Sequence, residues 1–150
     1  MTALTLRVPA DCRAPGRVRA ELKDWLAARG WPGEDADDLV LAVSEAVSNA
    51  AEHAYLAGRA VDKDCRVVLV TVAELAASDA RQLKVVVEDF GVWRPVPPDP
   101  GSRGRGLRMI GALTESCEVT QRSSGTTVTI ISNPINAGPP PPFPRPAHGP

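Results

Sequence analysis

The chain has 150 residues, of which 43% are hydrophobic and 23% are charged, and its formal net charge is -1. This composition fits one globular domain with a hydrophobic core and excludes an intrinsically disordered chain. The basic residues are spread along the sequence, so nucleic acid is not an expected partner. Neither a signal peptide nor an apolar run of the ~18 residues that a membrane span requires is found, and we expect a cytoplasmic protein.

The first half of the sequence predicts a strand followed by two helices. Leu4, Leu6 and Val8 alternate with polar residues, which is typical of a strand. Apolar residues then recur near the helical period, first up to Ala28 and again between Glu34 and His53. The second helix has an apolar stripe, formed by Leu39, Val40, Val43, Ala46, Val47 and Ala50.

The second half changes to a strand pattern, interrupted by an irregular segment. Strands rich in Val, Leu, Ile and Thr are predicted over 66–72, 83–87, 117–121 and 126–131, as two hairpins. Between the hairpins lies a segment dense in Pro, Gly and Arg (93–105), and a short helix is predicted over 107–113. A long irregular insertion of this kind is usually functional.

The last residues predict a tail outside the domain. We place the domain at 1–133 and a Pro-rich, disordered or extended tail at 134–150, because four consecutive prolines (139–142) and few apolar side chains occur there. Cys12, Cys65 and Cys117 are odd in number and far apart, which favours free, mostly buried thiols over disulfides or a zinc site.

Glu45, Asn49 and His53 follow each other at steps of four on the second predicted helix, so they share one face. A solvent-exposed face is the simplest interpretation of such residues. Asn49 fits it less well, because asparagine is a poor helix former and Glu or Lys would serve an exposed surface better. A carboxylate and an amide one turn apart can hold a metal ion beside a triphosphate while the carboxylate reaches an attacking hydroxyl.

Three further motifs suit a nucleotide, although each has an ordinary structural interpretation. Asp89 and Gly91 end an apolar strand, where a carboxylate can accept a hydrogen bond from an adenine amine, but Asp and Gly also favour turns. The segment 101–107 brings glycines and two arginines immediately before the predicted third helix, an arrangement that can bind phosphate, although a lone glycine-rich loop is a weak signal. Gly125 and Thr126 open the last strand, which a hairpin alone would explain.

The order and spacing of these motifs resemble the N box, the two glycine boxes and the GT box of the Bergerat ATP-binding fold, which histidine kinases, gyrase and MutL share. Within that superfamily, the run from Leu41 to Tyr55 looks most like the anti-sigma-factor serine kinases of the RsbW type. The resemblance covers roughly Leu4 to Ile131. It implies an α+β fold, a two-layer sandwich in which a mixed, mainly antiparallel sheet carries helices on one face.

The resemblance also implies a set of site residues. Glu45 would be the catalytic base that activates a serine or threonine hydroxyl, and Asn49 would hold Mg²⁺. Asp89 would bind the adenine amine, supported by Thr126, and Gly91 would give clearance. The implied nucleotide-binding residues are Asn49, Asp89, Gly91, Arg103, Gly104, Arg105, Gly106, Leu107 and Thr126. One departure from the pattern is Trp93, which stands where many superfamily members have a second glycine.

The function that the resemblance implies is phosphorylation of an anti-anti-sigma (STAS) protein with ATP and Mg²⁺, while a second surface binds a sigma factor. A homodimer is possible by similarity to the family. An ATP-gated binding module without kinase activity stays open as an alternative. An ATPase that drives dimer movement, or a scaffold that works through the Pro-rich tail, is less favoured.

Overall fold

The computed structural model describes residues 3–56, 66–76, 79–91 and 101–136. Within them the order of elements is strand, two helices, two strands, one helix and three strands. Their bounds are β1 Leu4–Pro9, α1 Ala14–Ala28, α2 Gly33–Leu56, β2 Val67–Leu75, β3 Ala80–Asp89, α3 Gly101–Leu113, β4 Ser116–Arg122, β5 Gly125–Ile131 and β6 Ile135–Asn136. The predicted order of helices and strands is confirmed up to β5.

Local sequence signals fix the bounds of α1 and α2. Asp11 precedes α1, and its Oδ1 accepts a hydrogen bond of 2.8 Å from the Arg13 N–H, which closes the turn into the helix. Gly30 follows α1 with φ of +68°, a left-handed conformation that glycine adopts at little cost. Glu34 and Asp35 lie in the first turn of α2, where negative charge complements the helix dipole.

The strand order of the sheet is β1-β2-β3-β5-β4, with β6 also paired to β3. Every pair that the described residues form is antiparallel, so the parallel pairing that a mixed sheet would contain is not found among them. The expected two-layer α+β architecture is confirmed, because the buried side chains of β2, β3 and β5 all lie on the face that the helices cover. The core contains the predicted stripe of α2 and residues of this face: Val68, Val70, Val72, Leu83, Val85, Val87, Val128 and Ile130.

The ordered chain continues beyond the predicted domain end. After β5, the Ser132 N–H donates to the Leu83 carbonyl over 2.9 Å, and the Leu83 N–H donates to Ser132 Oγ over 2.8 Å. Ile135 and Asn136 then resume pairing with β3, and Ile135 is buried. Strand β6 thus lies just beyond the predicted domain boundary at residue 133, and the division into domain and tail stays a prediction. The remainder of the predicted tail (137–150) lies outside the described residues.

The glycine-rich segment is helical where a loop was predicted. Helix α3 begins at Gly101 and not at Leu107. Glycine is a weak helix former, so the sequence did not predict a helix over 101–106. The arginines and the apolar residues that follow are good helix formers. Packing of α3 on α2 supplies the remaining stabilisation, in keeping with the general rule that tertiary contacts outweigh propensity.

A cluster of side chains ties the β2–β3 hairpin to the turn between α1 and α2. Arg81 forms a salt bridge of 2.6 Å with Glu74, and its Nη1 donates to the Arg29 carbonyl over 3.1 Å. The Arg81 guanidinium also stacks 4.8 Å from the centroid of the Trp31 ring. The hydrogen bond from Arg81 lowers the pKa of Glu74 and raises that of Arg81. This cluster lies at the start of β3, the end opposite to Asp89.

Two of the three cysteines lie in the described part of the chain, and both are free thiols. Cys12 is exposed, which corrects the expectation of mostly buried thiols, while Cys117 is half-buried and burial raises its pKa. Cys65 lies outside the described residues. None of the helices in the described ranges combines the length and apolarity that a bilayer span requires.

Candidate nucleotide site

The contact between α2 and α3 brings predicted site residues together. Gly106 of α3 lies against Glu45 and Asn49 of α2: a Cβ atom built on Gly106 would lie 3.4 Å from both Glu45 Oε2 and Asn49 Nδ2. Gly106 itself is buried, whereas Glu45 and Asn49 are half-buried. A side chain at position 106 would therefore occupy the space directly beside the predicted base and the predicted metal ligand.

Asp89 is held at the end of β3 by backbone donors. Its side chain is buried, and Oδ1 accepts hydrogen bonds from the Gly91 N–H over 3.1 Å and from the Thr126 N–H over 3.3 Å. A carboxylate that accepts backbone N–H bonds is fixed in orientation and partly compensated for its burial. The structure thus brings Asp89, Gly91 and Thr126 together.

Gly125 contributes to this arrangement although it was not among the predicted site residues. Its φ is +148°, and a Cβ atom at this position would lie 1.9 Å from the Asp89 carbonyl oxygen. Only glycine allows β5 to begin this close to the end of β3. The GT motif contains the signal, because the glycine directly precedes Thr126 at a hairpin, but the close approach to Asp89 depends on strand pairing that the sequence does not reveal.

Several predicted site residues are described only in part. For Arg103, Gly104 and Arg105 the structure describes the helix to which they belong, and their side-chain surroundings lie outside the described residues; the same holds for His53 in α2. Leu107 is exposed on α3. Trp93 lies outside the described residues.

The donor set fits a magnesium ion that is bound mainly through a nucleotide. Mg²⁺ usually keeps several waters and takes one or two protein ligands together with substrate phosphates, so a complete protein cage is not needed. Among the described residues no group of three or more His, Cys, Asp or Glu side chains could hold a metal. The Asn49 amide beside the Glu45 carboxylate is a suitable place for one such ligand.

Comparison with known proteins shows the family to which the chain belongs. The family model described as the histidine kinase-like ATPase domain matches residues 8–132, and the chain belongs to this family. Relatives named serine-protein kinase RsbW include one from Bacillus pumilus, 28% identical over 138 residues that make up 85% of this chain and 83% of the relative. The Bacillus subtilis protein of the same name is 27% identical over 135 residues, or 85% of this chain and 82% of the relative. The resemblance to RsbW-type proteins is confirmed.

Solved structures show the same fold. The structure of the RsbU and RsbW domains of a Mycobacterium tuberculosis protein superposes with a TM-score of 0.69 at 30% identity, covering 89% of this chain and 33% of that chain. A chain of the SiaB-SiaC complex from Pseudomonas aeruginosa superposes with a TM-score of 0.56 at 14% identity, covering 86% of this chain and 87% of that chain. The second likeness concerns the fold alone.

Proposed function

We propose that this protein is an ATP-dependent serine/threonine kinase that acts as an anti-sigma factor and phosphorylates an anti-anti-sigma (STAS) protein. The observation that carries the proposal is the seam between α2 and α3, where Gly106 lies against both Glu45 and Asn49. The buried Asp89 carboxylate lies on the same helix-bearing side of the sheet. The RsbW names of the relatives support the kinase assignment and the choice of partner.

Asp89 is the proposed adenine reader. Its Oδ1 already accepts two backbone N–H bonds, so the carboxylate is oriented before the nucleotide arrives. Thr126 lies beside Asp89 and is buried, which suits a hydroxyl that supports the adenine ring. Gly91, also buried, leaves the base room to lie against the backbone.

Asn49 is the proposed protein ligand for Mg²⁺, which when bound neutralises phosphate charge during phosphoryl transfer. The residues proposed to surround the phosphates are Arg103, Gly104, Arg105, Gly106 and Leu107. In a helix only the N–H groups of the first turn are free, and in α3 these precede Gly106. Use of the Gly106 N–H for phosphate therefore requires the start of α3 to unwind.

Glu45 is the proposed general base. It would accept the proton of a serine or threonine hydroxyl on the protein substrate as that oxygen bonds to the γ-phosphorus and the bond to the ADP oxygen breaks. The phosphorylated antagonist would carry roughly 1.5 to 2 additional negative charges, which lowers its affinity for this protein. A sigma factor, held by a second surface, would then be retained by the kinase.

The test is phosphate transfer from labelled ATP to purified STAS proteins of the source organism, with wild type and three variants. Asn49→Ala is expected to lose Mg-ATP binding in calorimetry, whereas Glu45→Gln keeps binding and loses transfer. Asp89→Asn retains an Oδ1 acceptor for the Gly91 and Thr126 N–H groups but replaces the second carboxylate oxygen with an amide, so folding should persist while ATP affinity falls.

Each result separates the possible functions. Full transfer by Glu45→Gln would remove the catalytic assignment. ATP binding without transfer to any STAS protein would favour the ATP-gated binding module, in which the nucleotide only shapes a docking surface. A folded wild type without affinity for Mg-ATP would contradict both.

A further inference from the structure

Three polar side chains form one row across the strands β3, β5 and β4. Asp89 pairs directly with Thr126, and Thr126 pairs directly with Gln121. Directly opposed residues of antiparallel strands place their side chains on the same face of the sheet. Asp89 and Thr126 are buried on the helix-bearing face, so Gln121 belongs to that face too, although it is exposed.

The contacts of the two helices with the strands indicate on which side of Asp89 the α2–α3 seam lies. Helix α2 contacts β3, β2 and β5, whereas α3 contacts β4, so the seam between the two helices lies towards the β4 side of Asp89. Glu45 and Asn49 line this seam against Gly106. A nucleotide with its base at Asp89 and its phosphates at the seam would therefore extend past Thr126 in the direction of Gln121. Two strand spacings separate the backbones at Asp89 and Gln121, about 10 Å.

The chemistry of Gln121 suits the part of a nucleotide between the base and the phosphates. Its carboxamide offers two N–H donors and a carbonyl acceptor, which can pair with hydroxyl groups in either direction. Within the described residues it makes no hydrogen bond. Glu118 and Thr120, on the same strand, lie on the opposite, helix-free face.

We propose that Gln121 binds the ribose hydroxyls of the nucleotide whose adenine is held at Asp89. This inference rests on the proposed ATP-dependent function and adds a nucleotide-binding residue on β4. It assigns to the edge strand a part in distinguishing ribonucleotides from sugar-modified analogues, which the four sequence motifs do not include.

The test compares Mg-ATP and Mg-2′,3′-dideoxy-ATP binding by calorimetry on the full chain. Wild type is expected to bind ATP more tightly than the dideoxy analogue. Gln121→Ala should raise the Kd for ATP about 3- to 10-fold, as expected for loss of one or two neutral hydrogen bonds, and should leave the Kd for the analogue nearly unchanged. Thr120→Ala, on the other face of the same strand, is the matched control and should bind both nucleotides as wild type does.

Unchanged ATP affinity in Gln121→Ala would overturn the proposal, as would an equal loss for both nucleotides. Because Gln121 is exposed, the variant should retain the thermal midpoint of wild type; if it does not, Gln121→Met, which keeps the approximate size of the side chain, adds no charge and removes the carboxamide, carries the same comparison. If wild type binds ATP and Asp89→Asn does not, a failure of the Gln121 result concerns the ribose contact alone. If wild type binds no nucleotide, both proposals fall.

Discussion

Two glycines of α3 allow the stability of the helix and binding at the proposed nucleotide site to be tested separately. Gly111 and Gly106 lie in the same helix, but a Cβ atom at Gly111 would meet nothing within 4 Å, whereas one at Gly106 would lie 3.4 Å from Glu45 Oε2 and Asn49 Nδ2. Replacing glycine by alanine inside a helix stabilises it by about 1 kcal/mol. Gly111→Ala should gain this full amount.

Gly106→Ala should keep much of the gain in stability, because the atoms that its Cβ meets are ends of flexible side chains that can shift by tenths of an ångström. Its methyl group would, however, occupy the space beside the proposed base and metal ligand, and added helical preference would oppose unwinding of the start of α3. We expect the ATP affinity of Gly106→Ala to fall by at least about tenfold, or 1.4 kcal/mol. Gly111→Ala should bind ATP as wild type does.

Urea unfolding and calorimetric titration with Mg-ATP measure the two effects independently. A Gly106→Ala variant that binds ATP like wild type would refute the placement of the phosphates at the α2–α3 seam. A Gly111→Ala variant without increased stability would show that the packing of α3 described above does not hold in solution.

Further predictions concern the strands. Gly125→Ala would place a Cβ 1.9 Å from the Asp89 carbonyl oxygen. It should lower the free energy of unfolding by at least about 2 kcal/mol, measured by urea titration. A loss below about 1 kcal/mol would contradict the close approach. Glu74 has a lowered pKa in the folded state, so its ion pair with Arg81 stabilises the protein above the ordinary pKa of the carboxyl and is lost as pH falls through the lowered value. Both side chains are about a third exposed, and Glu74→Gln should therefore remove only about 0.5 to 1 kcal/mol at neutral pH. Below the folded-state pKa of Glu74 the variant and wild type should unfold alike in urea. A difference in their free energies of unfolding that persists there would show that it does not arise from the ion pair with Arg81.

The sequence predicts helices and strands best where one face is buried. The stripe of α2 and the alternation in β2, β3 and β5 follow directly from burial of one face, and the predicted bounds are close to the observed ones. Helix α3 was placed too late because local propensity disfavours glycine in a helix, whereas the contact of α3 with α2 stabilises the helix. Such a contact depends on tertiary packing and leaves no periodic signal.

Strand pairing was the second feature that the sequence did not supply. Strand β6 has two residues and follows a proline, so it has no alternation to detect, and its pairing with β3 is a tertiary contact. The order β1-β2-β3-β5-β4 also does not follow from the strand patterns. The relation of Gln121 to Thr126 could have been deduced, since the short turn between β4 and β5 sets their register.

The position of strand β6 in the sheet has a practical consequence for labelling. Asn136 pairs with Ala80 at the first residue of β3, and Asp89 is the last residue of the same strand. Nine residue steps of an extended strand separate the two, about 30 Å. A fluorophore or an affinity handle attached at the exposed Asn136 would thus be joined to the domain at the end remote from the proposed adenine site, which suits surface immobilisation for binding measurements.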